Sequence, residues 1–468
     1  MKEGNRPLWL QGRWQNGRWQ PDPHRGVVSK TWIVTWGLLF LLWSLGTIPF
    51  FNQTPGKEAV IAFLVPFRLF TDIVLVALGV MTLRRRADWI NILLYLAIAI
   101  TSTIFVNKLG WVTLINGTRL YIAPLFLIPT LRYIFEKPER TAYFINKFDR
   151  SLYWLLWLQW PCMLYEFIVL GGGDRGGGSL GDFGSGLIST FIFVVSFYLM
   201  LRSWDHSKNY VANLRRNWVL LFLLLPTTLN ETKISFIFLV LYLFFLIPIN
   251  RKFIRTVIIV IPIICVLSAG LAWLYASNTK NGDIVFDADY LEYYTFGDDD
   301  ILQMVEVFYD RGYGGEQAQD FQRGVKLSML PAIIDDEPWA PWIGYGVSQF
   351  KGGTNLDRTD FYRRYEWLLE GTELEIMDII VDMGLAGVVW IIYAVCTLFG
   401  WGFRASGRSL NLQWFLGILF WMLMFYYTML TAIFLCIVFF YLAMFSWHWD
   451  RLRQYREITG TAEIPEKS

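Results

Sequence analysis

The sequence predicts an all-α polytopic membrane protein with about twelve transmembrane helices, both termini on the cytoplasmic side, and a long periplasmic loop between helices nine and ten forming a mostly helical cap. Three observations predict it. Apolar runs of span length recur along the whole chain. Charged residues make up only 17% of the 468 positions, against about 25% in soluble domains, while 55% are hydrophobic. Lys and Arg collect in every second loop. The mean hydropathy of +0.39 agrees. The net charge of +2 decides little, because membrane proteins sort charge by side and not by sum.

In chain order, residues 1–30 form a basic N-terminal tail with Lys2, Arg6, Arg13, Arg18, Arg25 and Lys30. The first apolar run starts only at Trp32 and is too long for the core of a signal peptide. Spans are expected at 31–51, 58–82, 88–106, 111–131, 151–170, 186–201, 217–230, 232–249 and 254–276. Three more are expected at 373–401, 411–428 and 430–449, before a tail at 450–468. The basic loops are "LRRRAD", then Arg132, Lys137, Arg140, Lys147 and Arg150, then Arg202, Lys208, Arg215 and Arg216, then "NRKFIR", "FRASGR" and "DRLRQYR". These are placed in the cytoplasm.

Two long loops are then external. One is "GGGDRGGGSLGDFGSG", 171–186; it lacks the order of a nucleotide phosphate cradle and is expected to be a flexible loop, with Asp174, Arg175 and Asp182 available to a substrate. The other is 277–372, where acids outnumber bases about two to one, expected to fold as a cap with Trp339 and Trp342 as aromatic anchors. The four cysteines, Cys162, Cys265, Cys396 and Cys436, lie in apolar spans without disulfide or metal spacing, and packing is their expected role.

Charges inside spans are the candidate functional groups, since each must face a cavity or a partner. They are Arg68 and Asp72, Arg119, Glu166, then Glu231 and Lys233 at the tip "LNETK", and Glu373, Glu375, Asp378 and Asp382 at the start of span ten. By parity nearly all fall in the external half, and the inner halves read as almost free of charge. Arg68 and Asp72 are four residues apart and either neutralise each other or serve a ligand. Glu166 is expected to reach the outer interface. Arg119 has no acid near it in sequence, which favours function. Lys233, at a helix start, opposes the helix dipole and implies a nearby anion. At about 100° per residue, Glu375, Asp378 and Asp382 share one helix face, within roughly 60°. Asp382 lies deep enough to need a cationic partner, Arg119 or Arg68. A cationic cavity beneath an external cap suits an amphiphile with an anionic head and a lipid tail.

Three segments resemble the O-antigen polymerase (Wzy) and O-antigen ligase superfamily, membrane glycosyltransferases of GT-C type. "INGTRLYIAPLF" resembles the family's G-x-R-x-Y helix and matches at Arg119. "LNETKISFIFLVLYLFFL" resembles its two-helix tip, with Lys233 where Arg is commoner. "FQRGVKLSMLPAIIDDEPWAPWIGYGVSQF" resembles its long-loop pattern, matching at Arg323, with Gly344 and Gly346 at the turn. "ELEIMDIIVDMGLAG" follows as the family's next span. The resemblance covers about 30–450. Where the ligases carry a His, this chain has Glu373, and its three histidines, His24, His206 and His448, are all expected on the cytoplasmic side.

The resemblance implies a polymerase of the bacterial inner membrane. It would join undecaprenyl-diphosphate-linked oligosaccharide repeat units on the periplasmic face by block transfer, inverting and without a metal or cofactor. Arg119, Lys233, Arg323 and Arg68 would stabilise the leaving diphosphate. Glu373 or Glu375 would take the acceptor proton, with Asp378 and Glu231 lining the substrate. A chain-length regulator and a flippase of the same pathway are the protein partners this implies, and no nucleic acid. Alternatives are a ligase-like glycan transferase, a transporter of polysaccharide or lipid-linked sugar, and a non-catalytic scaffold. A transporter is expected to carry charge through to the cytoplasmic side.

Overall fold

The computed structural model describes residues 12–15, 18–21, 30–53, 57–171, 176–181, 184–205, 207–230, 234–247, 253–278, 323–335, 337–349, 361–362, 364–365, 374–399 and 407–459. Within them the chain is helical apart from a two-stranded antiparallel hairpin, Gly12–Gln15 with Arg18–Pro21. The hairpin lies within the expected basic tail, 1–30. Its signal was Asn16-Gly17 between two copies of Arg-Trp-Gln, the strongest short-range hairpin cue.

The helices are α1 (Lys30–Thr47), α2 (Lys57–Thr82), α3 (Arg86–Ile100), α4 (Trp111–Leu120), α5 (Ile128–Phe135), α6 (Pro138–Tyr165), α7 (Ser185–Ser203), α8 (Tyr210–Arg216), α9 (Trp218–Phe222), α10 (Ile234–Phe245) and α11 (Phe253–Asn278). After them come α12 (Arg323–Ile334), α13 (Ala340–Ile343), α14 (Glu375–Phe399), α15 (Arg408–Tyr426) and α16 (Ile433–Thr459). Among the described residues, six helical segments are long and apolar enough to cross a membrane, or seven if α4 and Ala123–Phe135, bent by 65°, count as one. This is the architecture of a helical membrane protein. The remaining expected spans fall on the shorter apolar helices Trp218–Thr228, Ile234–Phe245, Val260–Gly270 and Ile433–Trp449, and on α6.

The apolar pattern explains the layering. α7 is hydrophobic all round, and it is buried along nearly its full length. The apolar turns of α16 pack beside it, from Phe434 to Phe445. Around this centre the outer helices turn large apolar residues outward, among them Phe70, Ile73, Phe105, Trp111, Ile115 and Trp218. An exposed apolar surface of this extent is what hydrocarbon accepts and water does not.

Two boundaries move. α6 starts at Pro138, so Arg140, Lys147 and Arg150 stand on a helix and not in a loop, and α16 runs on to Thr459 through the expected tail. Proline at the first helical position explains the early start, because its missing N–H is one the helix leaves unpaired anyway. Between α7 and α8, Asp205 accepts bonds from the Ser207 hydroxyl and backbone N–H, which hold its carboxyl below the usual range.

The end of the bundle that carries the basic loops is not free of buried charge, contrary to the expectation. Arg132 pairs with Asp88, whose side chain is 3% exposed, and donates to the Thr397 carbonyl at 2.9 Å. Asp149 accepts from Arg202 at 2.8 Å, from Tyr198 at 2.8 Å and from Tyr441 at 2.6 Å, tying α6, α7 and α16 together. Sequence position hid these pairs because each charge lies at the edge of an expected span and reads as a loop charge. Removing one partner of a buried pair strands the other. Arg132→Ala is therefore expected to cost about 3–5 kcal/mol, and Tyr441→Phe about 1–2 kcal/mol. Thermal unfolding in detergent reads both, and an unchanged midpoint for Arg132→Ala is the result that contradicts this account.

Candidate functional site

At the opposite end of the bundle, three stretches of irregular backbone meet. α3 passes into a π-helical turn, Thr101–Val106. α14 is broken at Gly384, with φ 61° and ψ −158°. The segment after α13, Gly344 to Gln349, is buried although it forms no regular structure. π-turns of this kind often mark functional sites. Irregular backbone at membrane depth is tolerated only when protein or a polar cavity satisfies it.

Asp382 supplies much of that satisfaction. Its carboxylate accepts from the backbone N–H groups of Ser348 and Gln349, both at 3.1 Å, and from the Tyr121 hydroxyl at 3.1 Å. The backbone beside it joins in. Tyr345 N–H donates to the Val381 carbonyl at 2.7 Å and Gly346 N–H to the Asp382 carbonyl at 3.1 Å. The broken α3 completes the cradle: Ser102 Oγ donates to the Asp382 carbonyl at 3.0 Å, Asn107 Nδ2 to the Gly344 carbonyl at 3.2 Å, and Thr103 Oγ1 accepts from Val347 N–H at 3.1 Å. Ser348 itself is held at φ 73°, a conformation rare for a side-chain-bearing residue.

Two glycines make the approach possible. Gly344 (φ 77°, ψ −176°) and Gly384 occupy a region of backbone space that is essentially glycine-only. A Cβ on Gly344 would strike the backbone of Asp382 and Met383, and one on Gly384 the backbone of Trp342 and Ile343. The expected turn at Gly344 and Gly346 is therefore present, and it is packed into the break of α14.

The other carboxylates follow a related pattern. Glu375 is fully buried; its Oε2 accepts from Leu430 N–H at 2.8 Å, and its own N–H donates to the Tyr427 carbonyl at 3.1 Å. It thereby fixes the turn between α15 and α16. Asp378 is buried one helical turn further on. Glu375, Asp378 and Asp382 lie on the helical stretch of α14 that precedes its break, where helical spacing brings them to one side. Glu166 is buried instead of reaching an interface: its Oε2 accepts from Gly178 N–H at 2.7 Å. With Gln159, bonded to Ser179 N–H at 3.0 Å, and Asn230, bonded to the Gly176 carbonyl at 3.3 Å, it pins residues 176–181 inside the bundle. That half of the Gly-rich loop is packed, not a flexible external loop.

The cations are placed differently from expectation. Arg119 pairs with Asp72 and not with Asp382: both its Nε and a terminal nitrogen lie 2.8 Å from Asp72 Oδ2. Its acid was hidden because it lies on another helix, forty-seven positions away. Arg68 is exposed and close enough to act on Asp72, but the direct partner is Arg119. Arg119 remains 40% exposed and stands two residues from Gly117, which packs against Val347 of the docked segment. Arg323 Nε donates to the Tyr426 carbonyl at 2.8 Å, with the guanidinium 4.1 Å from that ring's centre. Glu373, Glu231 and Lys233, with Asp174, Arg175 and Asp182, lie outside the described residues. Among the described residues no three His, Cys, Asp or Glu side chains are grouped as metal ligands would be.

Sequence reasoning missed Lys326. It is fully buried on α12, which packs on the acidic helix α14. A buried ammonium persists only with polar or anionic neighbours. Its signal was a lysine three residues after Arg323 in an otherwise apolar stretch.

Asp382→Asn keeps the shape but turns an amide N–H₂ toward one of two backbone donors. The expected cost is about 1.5–3 kcal/mol. Gly384→Ala adds a disfavoured backbone conformation, about 1–3 kcal/mol, to the collision with Trp342. Both variants are expected to melt earlier in detergent and to expose 344–349 to limited proteolysis; wild-type protection of that segment in both would contradict the clasp. Comparison with known protein families, with characterised proteins and with solved structures finds no match to this chain.

Proposed function

We propose that this protein is a glycan polymerase of the bacterial inner membrane, crossing it twelve times with both termini in the cytoplasm, and that the clasped junction is its active site. It joins undecaprenyl-diphosphate-linked repeat units at the periplasmic face. The observation that carries the reading is the juxtaposition of a half-exposed arginine, Arg119, with the docked segment 344–349 and the acidic mouth of α14. Those are the segments whose sequences resemble the Wzy-type family.

The chemistry assigns roles by what each group is free to do. Arg119, held in place by Asp72, and Arg68 beside it meet the diphosphate; a guanidinium suits phosphate oxygens, and fixed cations stabilise a developing leaving charge. Glu375 already serves Leu430 N–H, and Asp382 already serves the loop. The acceptor proton therefore falls to Glu373, the first carboxylate of this acidic stretch in sequence, with Asp378 and Glu375 shaping the pocket. Arg323 positions the end of α15 beneath the cap and approaches the substrate from there. Lys233 and Glu231 line the substrate at their tip.

A second reading, a transporter of lipid-linked sugar or polysaccharide, is favoured by one observation. Discontinuous helices at a midplane junction are a recurring feature of transporter sites, and α4 and α14 are both broken. The ion pairs at the basic end also remove the objection that this end lacks charge.

Deleting the gene in its host and separating surface glycan by size distinguishes the readings. The polymerase predicts single repeat units on the surface. A ligase predicts long lipid-linked chains without attachment, and a transporter predicts lipid-linked sugar retained inside. Restored with Arg119→Ala or Glu373→Gln at wild-type membrane levels, the chain length is expected to stay at single units. Wild-type length with both variants would falsify the assigned roles.

A further inference from the structure

A groove of about 660 Å³ runs between α1 and α6 on the outside of the bundle. Trp36, Phe40, Trp43 and Trp154 form its walls, and all four are substantially exposed. Lys147 and Arg150 also line it, three positions apart on α6. Trp36 meets Lys147, whose ammonium lies 5.5 Å from the ring centre, and Trp43 Nε1 donates to Ser151 Oγ at 3.0 Å. These contacts make the two helices run parallel. They set the cations at the groove's end nearer Lys30, the basic end of the bundle, with an apolar channel leading away toward Ile48.

Neither cation is ion-paired among the described residues. Lys147 has only the faces of Trp36 and Tyr143, the latter at 4.9 Å. Two cations at the basic end of an apolar flank stand where the charged head group of a lipid would meet them. The volume is that of a small-molecule site. We propose that this groove holds one anionic glycerophospholipid. Its phosphate bridges Lys147 and Arg150, and an acyl chain lies along Trp36, Phe40 and Trp43. The basic end of a membrane protein faces the leaflet where anionic lipids gather, and basic pockets between helices on that side suit their head groups. A choline head group brings its own cation against Lys147 and Arg150 and is disfavoured there. The assignment is independent of the polymerase reading.

Native mass spectrometry of the full chain in mild detergent tests it. Phosphatidylglycerol and phosphatidylcholine with identical acyl chains are added in equal amounts. Wild type is expected to retain phosphatidylglycerol several-fold over phosphatidylcholine, Lys147→Gln/Arg150→Gln to lose that preference, and Lys147→Arg/Arg150→Lys to keep it. Equal retention of the two lipids by wild type overturns the proposal, and this comparison needs no variant to fold. An unchanged preference in the double glutamine variant overturns it too. So does displacement of phosphatidylglycerol by equimolar undecaprenyl phosphate, which would give the groove to a polyprenyl carrier.

Discussion

In hydrocarbon every backbone N–H and C=O must find its partner within the protein, and a helix does this for itself. The segment 344–349 is irregular yet buried, so its groups must be met by other residues. Asp382 meets two of its N–H groups with one carboxylate, while Tyr121 holds that carboxylate from the far side. α14 breaks at Gly384 to let the segment in, and the π-turn after α3 supplies Ser102 and Thr103 as further partners. The broken helices, the special glycines and the buried acid are thus one arrangement. Each is costly by itself, and each is stable only because the others are present.

The same solution recurs at that end of the bundle. Glu166 receives the N–H of Gly178 in the Gly-rich segment, and Glu375 receives the N–H of Leu430 between α15 and α16. A carboxylate accepts backbone bonds with charge-assisted strength and has no donor of its own to satisfy. It is therefore an economical partner for clustered N–H groups where water is excluded. Acids that stand out in a membrane sequence as candidates for proton chemistry can instead be the anchors that give a site its shape. This narrows the proposed chemistry toward Glu373, the first acid of the group in sequence, because Glu375 and Asp382 already have partners.

Charge at the other end of the bundle does different work. Asp88 with Arg132, and Asp149 with Arg202, Tyr198 and Tyr441, fasten helices to one another. Lys147 and Arg150 point instead into a surface groove whose walls are indole and phenyl rings. One end of the protein therefore uses buried anions to hold backbone, while the other uses paired and unpaired cations along helices and surface.

The helical architecture was legible in the amino-acid order because span length and side-chain polarity act locally: apolar runs fold as helices wherever the chain goes. The shared face of Glu375, Asp378 and Asp382 was legible for the same reason, since it follows from helical rise and turn alone. The turn at Gly344 and Gly346 could be read because positive backbone angles require glycine. What only the tertiary structure decided was partnership. Asp72 and Arg119 are remote in sequence and adjacent in space; Asp382 takes N–H groups from residues more than thirty positions earlier. Lys326 and Asp149 fall in stretches expected as cap and loop, and the tertiary structure covers them. A buried charge is defined by what surrounds it, and surroundings are assembled from distant segments, so no local pattern could have named those partners.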